Sequence, residues 1–192
     1  QFARAIVMPN LAEPVVTLSQ VRDYHAAILS HRPAGSSFTP LMTLYLTEQM
    51  TAATLHSAKD SGLVFAAKLY PQGATTLSES GVSDVKHIYP MFEVMQELDM
   101  VLCIHGEVTS NKVDIFDREA VFITESLQPI VANFPNLRII LEHISSAAAV
   151  SFVEQAPANV AATITPQHLL LNRNHLLAGG IRPYHYCLPI VK

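Results

Sequence analysis

The sequence predicts an α/β fold made of repeated β-α-β units on a parallel sheet. Three observations carry this. Six short apolar runs are near-continuous rather than alternating, the pattern of strands covered on both faces. Five segments with helical period lie between them. No Gly-x-Gly-x-x-Gly follows any strand, which argues against a dinucleotide-binding sheet. An open doubly wound sheet and part of a (β/α)8 barrel both fit this pattern.

The runs are 4–9 (RAIVMP), 38–46 (FTPLMTLYL), 63–70 (LVFAAKLY), 100–105 (MVLCIH), 137–144 (LRIILEHI) and 159–165 (NVAATIT). The first helix spans 17–31 and groups Val21, Tyr24, Ala27 and Ile28 on one face. The second, 51–61, places Leu55 beside Ala58. The third, 83–98, groups Ile88, Met91, Phe92, Met95 and Leu98. The fourth, 117–133, groups Ala120, Ile123, Leu127 and Ile130. The fifth, 145–155, groups Ala149, Phe152 and Val153. Thr17, Ser83-Asp84, Asp117 and Ser145 or Ser146 supply N-caps, since short polar side chains satisfy the first free N–H groups. No linker or low-complexity segment divides the chain, so residues 1–192 read as one domain.

The chain has 192 residues, 49% apolar and 15% charged, with net charge −4. Such a chain can bury a core, which excludes disorder. No basic stripe exists to neutralise phosphates, so no nucleic-acid partner is expected. No apolar run reaches the roughly 18 residues of a membrane span. Two cysteines, Cys103 and Cys187, are too few for a disulfide scaffold and suit a reducing, cytoplasmic setting. Cys103 reads as a small buried hydrophobe.

The chemistry lies at strand ends. Chemistry in a parallel barrel collects at the carboxyl ends of strands, and here those ends read Asn10, Lys68, His105, His143 and Thr165 to His168. Burying lysine or histidine without a partner is costly, yet three successive strands end in one. Alternation places Ala66 and Val64 beneath Lys68, Cys103 and Val101 beneath His105, and Leu141 and Ile139 beneath His143. Two converging neutral imidazoles suit a divalent metal. A lysine ammonium has no acceptor. It can join only after losing its proton and taking up carbon dioxide as an anionic carbamate. Each residue alone has an ordinary structural reading; it is the conjunction that points to a site. Glu107 and Glu142 flank the histidines, either as support for a ligand or as rim carboxylates. The long loop after Lys68, with Thr75 and Thr76, is a candidate lid or a plain surface loop. His25, His31, His56 and His87 read as solvated, and His175 and His185 lie in an irregular tail.

The motifs AIVMPNL (5–11), AKLYP (67–71), ATT (74–76), HGE (105–107), DIFDRE (114–119), LEHI (141–144), AATITPQH (161–168), NRNH (172–175) and YCLPI (186–190) run in order through the chain. In these the sequence resembles the single-function bacterial dihydroorotases of the amidohydrolase superfamily. The resemblance implies a (β/α)8 barrel with six of its eight strands, the second to seventh, in this chain. It implies two zinc ions, with a carboxylated Lys68 bridging them and His105 and His143 on the more exposed one. Asn10, Thr75, Thr76 and the backbone of Leu188 would contact substrate. The implied reaction interconverts N-carbamoyl-L-aspartate and L-dihydroorotate in pyrimidine biosynthesis, in a homodimer, by metal-assisted attack on an amide carbonyl with a general base.

The family's first-strand His-x-His pair with its Arg, and its eighth-strand Asp base, have no counterpart here. The base is therefore expected beyond Lys192, and the chain reads as a central fragment, inactive alone and poor at binding metal. A full barrel takes roughly 250 residues. Two other readings stand beside this one: a non-catalytic relative serving as scaffold or binding partner, and another cyclic amidohydrolase of hydantoinase type.

Overall fold

The computed structural model describes residues 2–192. Six strands form: β1 (Arg4–Val7), β2 (Thr39–Tyr45), β3 (Val64–Leu69), β4 (Val101–His105), β5 (Ile139–Glu142) and β6 (Val160–Ala162). All pair in parallel, in the order β1-β2-β3-β4-β5-β6. Each crossover therefore adds the next strand on the same side. A doubly wound sheet reverses direction at a switch point, and the described strands contain no reversal. The sheet curls as an arc of a barrel, which decides between the two architectures left open above.

Among the described residues β1 pairs only with β2, and β6 only with β5. The helices are α1 (Leu18–Ser30), α2 (Ala52–Asp60), α3 (Tyr89–Glu97), α4 (Arg118–Phe122), α5 (Gln128–Asn133), α6 (Ala147–Gln155), α7 (Pro166–Leu170) and α8 (Arg173–Leu177). Thr17 caps α1 in a full capping box with Gln20, Thr51 caps α2, and Ser146 caps α6.

Proline accounts for three departures from the expected elements. The helix expected over 83–98 opens instead as a 3-10 turn, Val85–Ile88, capped by Asp84. The α-helix proper starts around Pro90, whose missing N–H costs nothing there. The helix expected over 117–133 is interrupted by a π turn, Ile123–Leu127. Pro129 has no N–H to give the carbonyl of Glu125, so the ladder slips. The strand expected over 159–165 stops at Ala162; Thr165 and Pro166 open α7, which puts His168 on a helix. The tail is also less irregular than expected. Asn172 and His175 close a capping box on α8, and His185 lies in a 3-10 turn.

The outward faces of the strands bury Leu44, Leu69, Leu102, Ile104, Ile139 and Leu141 against Val21, Leu55, Phe92, Met95, Leu127 and Ile130 of the helical layer. Each such side chain contributes about 1.5–3 kcal/mol when removed from water. Phe134 meets Tyr89 and Phe92 edge-on at 5.1 and 5.5 Å.

The loop after β3 folds back on itself. Val82 N donates to the Tyr70 carbonyl at 2.8 Å, and Gln72 N to the Val82 carbonyl at 3.0 Å. Gly81 is required there: a Cβ would lie 2.5 Å from the Tyr70 carbonyl oxygen and 2.8 Å from that of Ser78. Glu48, just beyond β2, pins the far end of the loop by accepting from Ser83 N at 2.8 Å and Ser83 Oγ at 2.6 Å.

Two outcomes follow. Thr17→Ala removes the α1 cap and should cost about 1 kcal/mol, read as a drop of roughly 2–4 °C in thermal midpoint. The hydrogen bonds from Ser83 hold the Glu48 carboxyl down to about 2, from an ordinary 4.5. Because the folded-state value is depressed, its contribution is present above the ordinary value and lost as pH falls toward about 2. A carboxyl-detected NMR titration should show Glu48 protonating well below the ordinary glutamate value, and Ser83→Ala should move it back up.

Candidate functional site

At the carboxyl ends of the strands lies a cavity of about 290 Å³. Its walls include Asn10, Lys68, Thr75, His105, His143 and Leu188, together with Met8, Tyr70, Glu142, Thr163 and Thr165. Thr76 is not part of the lining; its carbonyl accepts from Asn10 Nδ2 at 3.3 Å. Larger hollows of about 560 and 590 Å³ exist elsewhere. The first lies between α4, α5 and α6, away from the strand ends, and the second is an open polar dent beside Glu48. Neither gathers lysine, histidine and carboxylate together.

Register explains which side chains enter. Lys68 sits beside Cys103, Cys103 beside Ile140, and His105 beside Glu142. Side chains alternate along a strand, so these residues share the inward face. Their neighbours Leu69, Leu102, Ile104, Ile139 and Leu141 belong to the helix-facing core. The expectation that Leu141 and Ile139 lie beneath His143 is therefore corrected: Glu142 takes the inward position on β5. His143 lies one residue past the strand and adopts φ 44°, a left-handed conformation unusual for a residue with a Cβ. That break in alternation turns it back to the cavity. Its N–H donates to Thr163 Oγ1 at 2.9 Å.

Lys68 is 1% exposed and forms an ion pair with Glu142. Burial pushes its pKa down from the ordinary lysine value, against the opposing pull of Glu142. Its Nζ also lies 5.0 Å from the centroid of the Tyr70 ring. Tyr70 in turn donates to Asn10 Oδ1 at 2.8 Å, which ties the end of β1 to the loop. Thr75 is held from behind by Ser78, whose Oγ accepts from Thr75 N at 2.9 Å and donates to Thr75 O at 2.6 Å.

The two histidine rings meet edge to face with centroids 4.8 Å apart. Burial pushes His105 down to about 3 and His143 down to about 2, with the Lys68 charge acting in the same direction. Both are therefore neutral imidazoles near pH 7. His105 Nε2 is engaged by Glu107 Oε2 at 2.7 Å. His143 Nδ1 is buried and has no hydrogen-bond partner.

Glu107 is itself buried, and burial pushes its carboxyl up to about 7. So neither flanking glutamate is an exposed rim group: Glu107 backs His105, and Glu142 backs Lys68. Glu142, Tyr70 and Thr163 are cavity residues to which the sequence reading gave no firm place. No signal along the chain fixes Glu142, because the register that sets it beside His105 comes from the fold. His168 stays outside the cavity, with its Nδ1 on Thr165 Oγ1 at 2.6 Å and its Nε2 on the Pro189 carbonyl at 2.8 Å.

Two neutral imidazoles converge, and one has a buried ring nitrogen without a partner. That donor set suits zinc. It is incomplete as it stands: among the described residues no group of three His, Cys, Asp or Glu side chains is placed to hold a metal. Lys68, as an ammonium, is no ligand.

A dihydroorotase of Shewanella oneidensis is 59% identical over 191 residues, covering 100% of this chain and 56% of its own length. The crystal structure of the Campylobacter jejuni dihydroorotase is 35% identical, with TM-score 0.90 over 100% of this chain and 54% of that one. Over its whole length the chain is homologous to dihydroorotases. A dihydroorotase of Saccharomyces cerevisiae, solved with 5-fluoroorotic acid, is 34% identical, with TM-score 0.87 over 98% of this chain and 54% of that one. An L-hydantoinase of Arthrobacter aurescens shares the fold, at TM-score 0.77 and 15% identity over 98% of this chain and 45% of that one. No protein-family model matches the chain. The chain spans about half the length of the family members it matches.

The buried pair gives a stability test. Glu142→Ala leaves the Lys68 charge buried and unpaired, and should cost about 3–5 kcal/mol in denaturant unfolding. Replacing both partners, as Lys68→Met with Glu142→Leu, should recover most of that loss.

Proposed function

We propose that this chain supplies the lysine and paired-histidine side of a zinc-dependent dihydroorotase, which interconverts N-carbamoyl-L-aspartate and L-dihydroorotate. The observation that carries it is the meeting of Lys68, His105 and His143 at one cavity, with Asn10, Thr75 and Leu188 on the same walls. The family relationship supports the same reading.

In this reading His105 and His143 would hold zinc. Glu107 on Nε2 leaves Nδ1 of His105 as the donor nitrogen, and the unpartnered Nδ1 of His143 is a donor of the same kind. Lys68 joins as a carbamate: its nitrogen forms a bond to carbon dioxide and gives up a proton, for which Glu142 stands beside the amine. Bound zinc would polarise the amide carbonyl and lower the pKa of water. Asn10, fixed by Tyr70, offers its amide to a substrate carboxylate. Thr75 offers a hydroxyl from the loop, and the Leu188 backbone borders the ring. Dihydroorotate is small, and a cavity of about 290 Å³ is of the size small ligands occupy. The soluble cytoplasmic setting and the homodimer belong to this proposal too; no described helix is long and apolar enough to cross a membrane.

The hydantoinase reading draws only on a shared fold at 15% identity. A scaffold without chemistry gives no reason to bring two neutral imidazoles and a buried lysine together.

The test is a zinc and activity measurement on the 192-residue chain. Weak zinc binding is expected, and it should be lost in His105→Ala and in His143→Ala. Dihydroorotate hydrolysis should be absent or slight, because the base and the remaining metal ligands are expected outside these residues. In bicarbonate, intact mass should show one added carbon dioxide, absent in Lys68→Met. Zinc binding indifferent to both histidine changes would sink the proposal.

A further inference from the structure

Glu119 lies on α4, remote in sequence from His105 and His143, yet it is 1% exposed. A buried carboxylate needs several donors, and all of those it has come from the turn between β5 and α6. Ser145 N donates to its Oε1 at 2.9 Å and to its Oε2 at 3.1 Å. Ser145 Oγ donates to Oε1 at 3.1 Å, and Ser146 Oγ donates to Oε2. Ser145 Oγ also accepts from Lys192 Nζ at 2.7 Å, which fixes the hydroxyl as donor toward the carboxylate.

The adjoining residue braces the other histidine. Val108 N donates to the carbonyl of Arg118 at 3.2 Å, holding the stretch that carries Glu107 against His105. Gly106 lets that stretch pass close to β5; a Cβ there would meet Leu141 Cδ1 at 2.5 Å. One short segment, 118–119, thus anchors both turns that present an imidazole.

We propose that Glu119 is a positioning residue: its carboxylate clamps Ser145 and Ser146, holds the left-handed backbone at His143, and so sets where that imidazole points. A non-glycine residue at φ 44° persists only when its surroundings over-determine it. The bonds to Glu119 supply that constraint two residues away. The consequence for zinc rests on the function proposed above; the consequence for the backbone does not.

Two measurements separate these. Amide hydrogen exchange on the metal-free chain reads the clamp itself. Glu119→Gln replaces one acceptor oxygen by a donor, and should strip protection from Ile144 and Ser145 while sparing β3 and β4. Zinc titration reads the imidazole, and the apparent Kd should rise by about 10- to 100-fold, the usual effect of losing a group that orients a ligand. The cobalt-loaded visible spectrum should shift as well. Thr51→Ala, which uncaps α2, is the control for lost stability alone and should move neither readout. If Glu119→Gln does not fold, the Ser145→Ala, Ser146→Ala pair removes the hydroxyl bonds from the other side, with the same expected loss. Wild-type exchange and wild-type zinc affinity in these variants would overturn the inference. A wild-type chain indifferent to zinc would remove the proposed function, and the exchange result alone would then decide the clamp.

Discussion

The ammonium of Lys68, sealed at 1% exposure, sets the terms for the rest of the site. An unpaired charge at that depth is costly enough that the fold must place an opposite one beside it. Glu142 is that partner, and it meets Lys68 only because it holds the inward position on β5, two strands away. That choice has a structural consequence one residue later. With Glu142 inward, regular alternation would send His143 toward the helices. The chain leaves the strand at that point, enters the left-handed region, and returns the imidazole to the cavity. Ion pair and backbone break are two sides of one constraint.

The glutamates show how environment divides one side-chain type into different tools. Glu48 accepts hydrogen bonds at the surface, which favour its charged form and pull it down to about 2. Glu107 is buried, and its carboxyl is pushed up to about 7 despite its contact with His105. Glu119 is as deeply buried but is met by three donor groups of one turn. Glu142 faces a lysine. The difference lies in what each carboxylate touches: Glu48, Glu107 and Glu142 sit at or just past a strand end, and Glu119 in the first turn of α4.

The sequential strand order gives those transitions a common direction. Because every strand is parallel and each follows its predecessor around the arc, every carboxyl end opens on the same side. Lysine, histidine and glutamate at successive strand ends then gather without long-range design. The loops on that side need only small adjustments: a glycine where backbones touch, a serine folded behind Thr75, an asparagine tying β1 to the loop.

Much of this was legible along the chain. Near-continuous apolar runs marked all six strands; the central ones are buried along most of their length and have no polar side to show, whereas β1 is exposed from Arg4 to Ile6. Five helical stretches appeared through their period and caps. Lys68, His105 and His143 stood out because such groups are rare at the ends of buried strands. The π turn and the late start of α3 followed from Pro129 and Pro90, whose local effect was readable but whose outcome depended on packing. What the amino-acid order could not decide was parity. Which of Glu142 and His143 faces inward turns on the register between β4 and β5 and on a single positive φ, and both are set by contacts between residues far apart in the chain. The roles of Glu107 and Glu119 were hidden for the same reason. A carboxylate's partners are chosen by tertiary proximity, and nothing near Glu119 in sequence announces that its donors are Ser145 and Ser146.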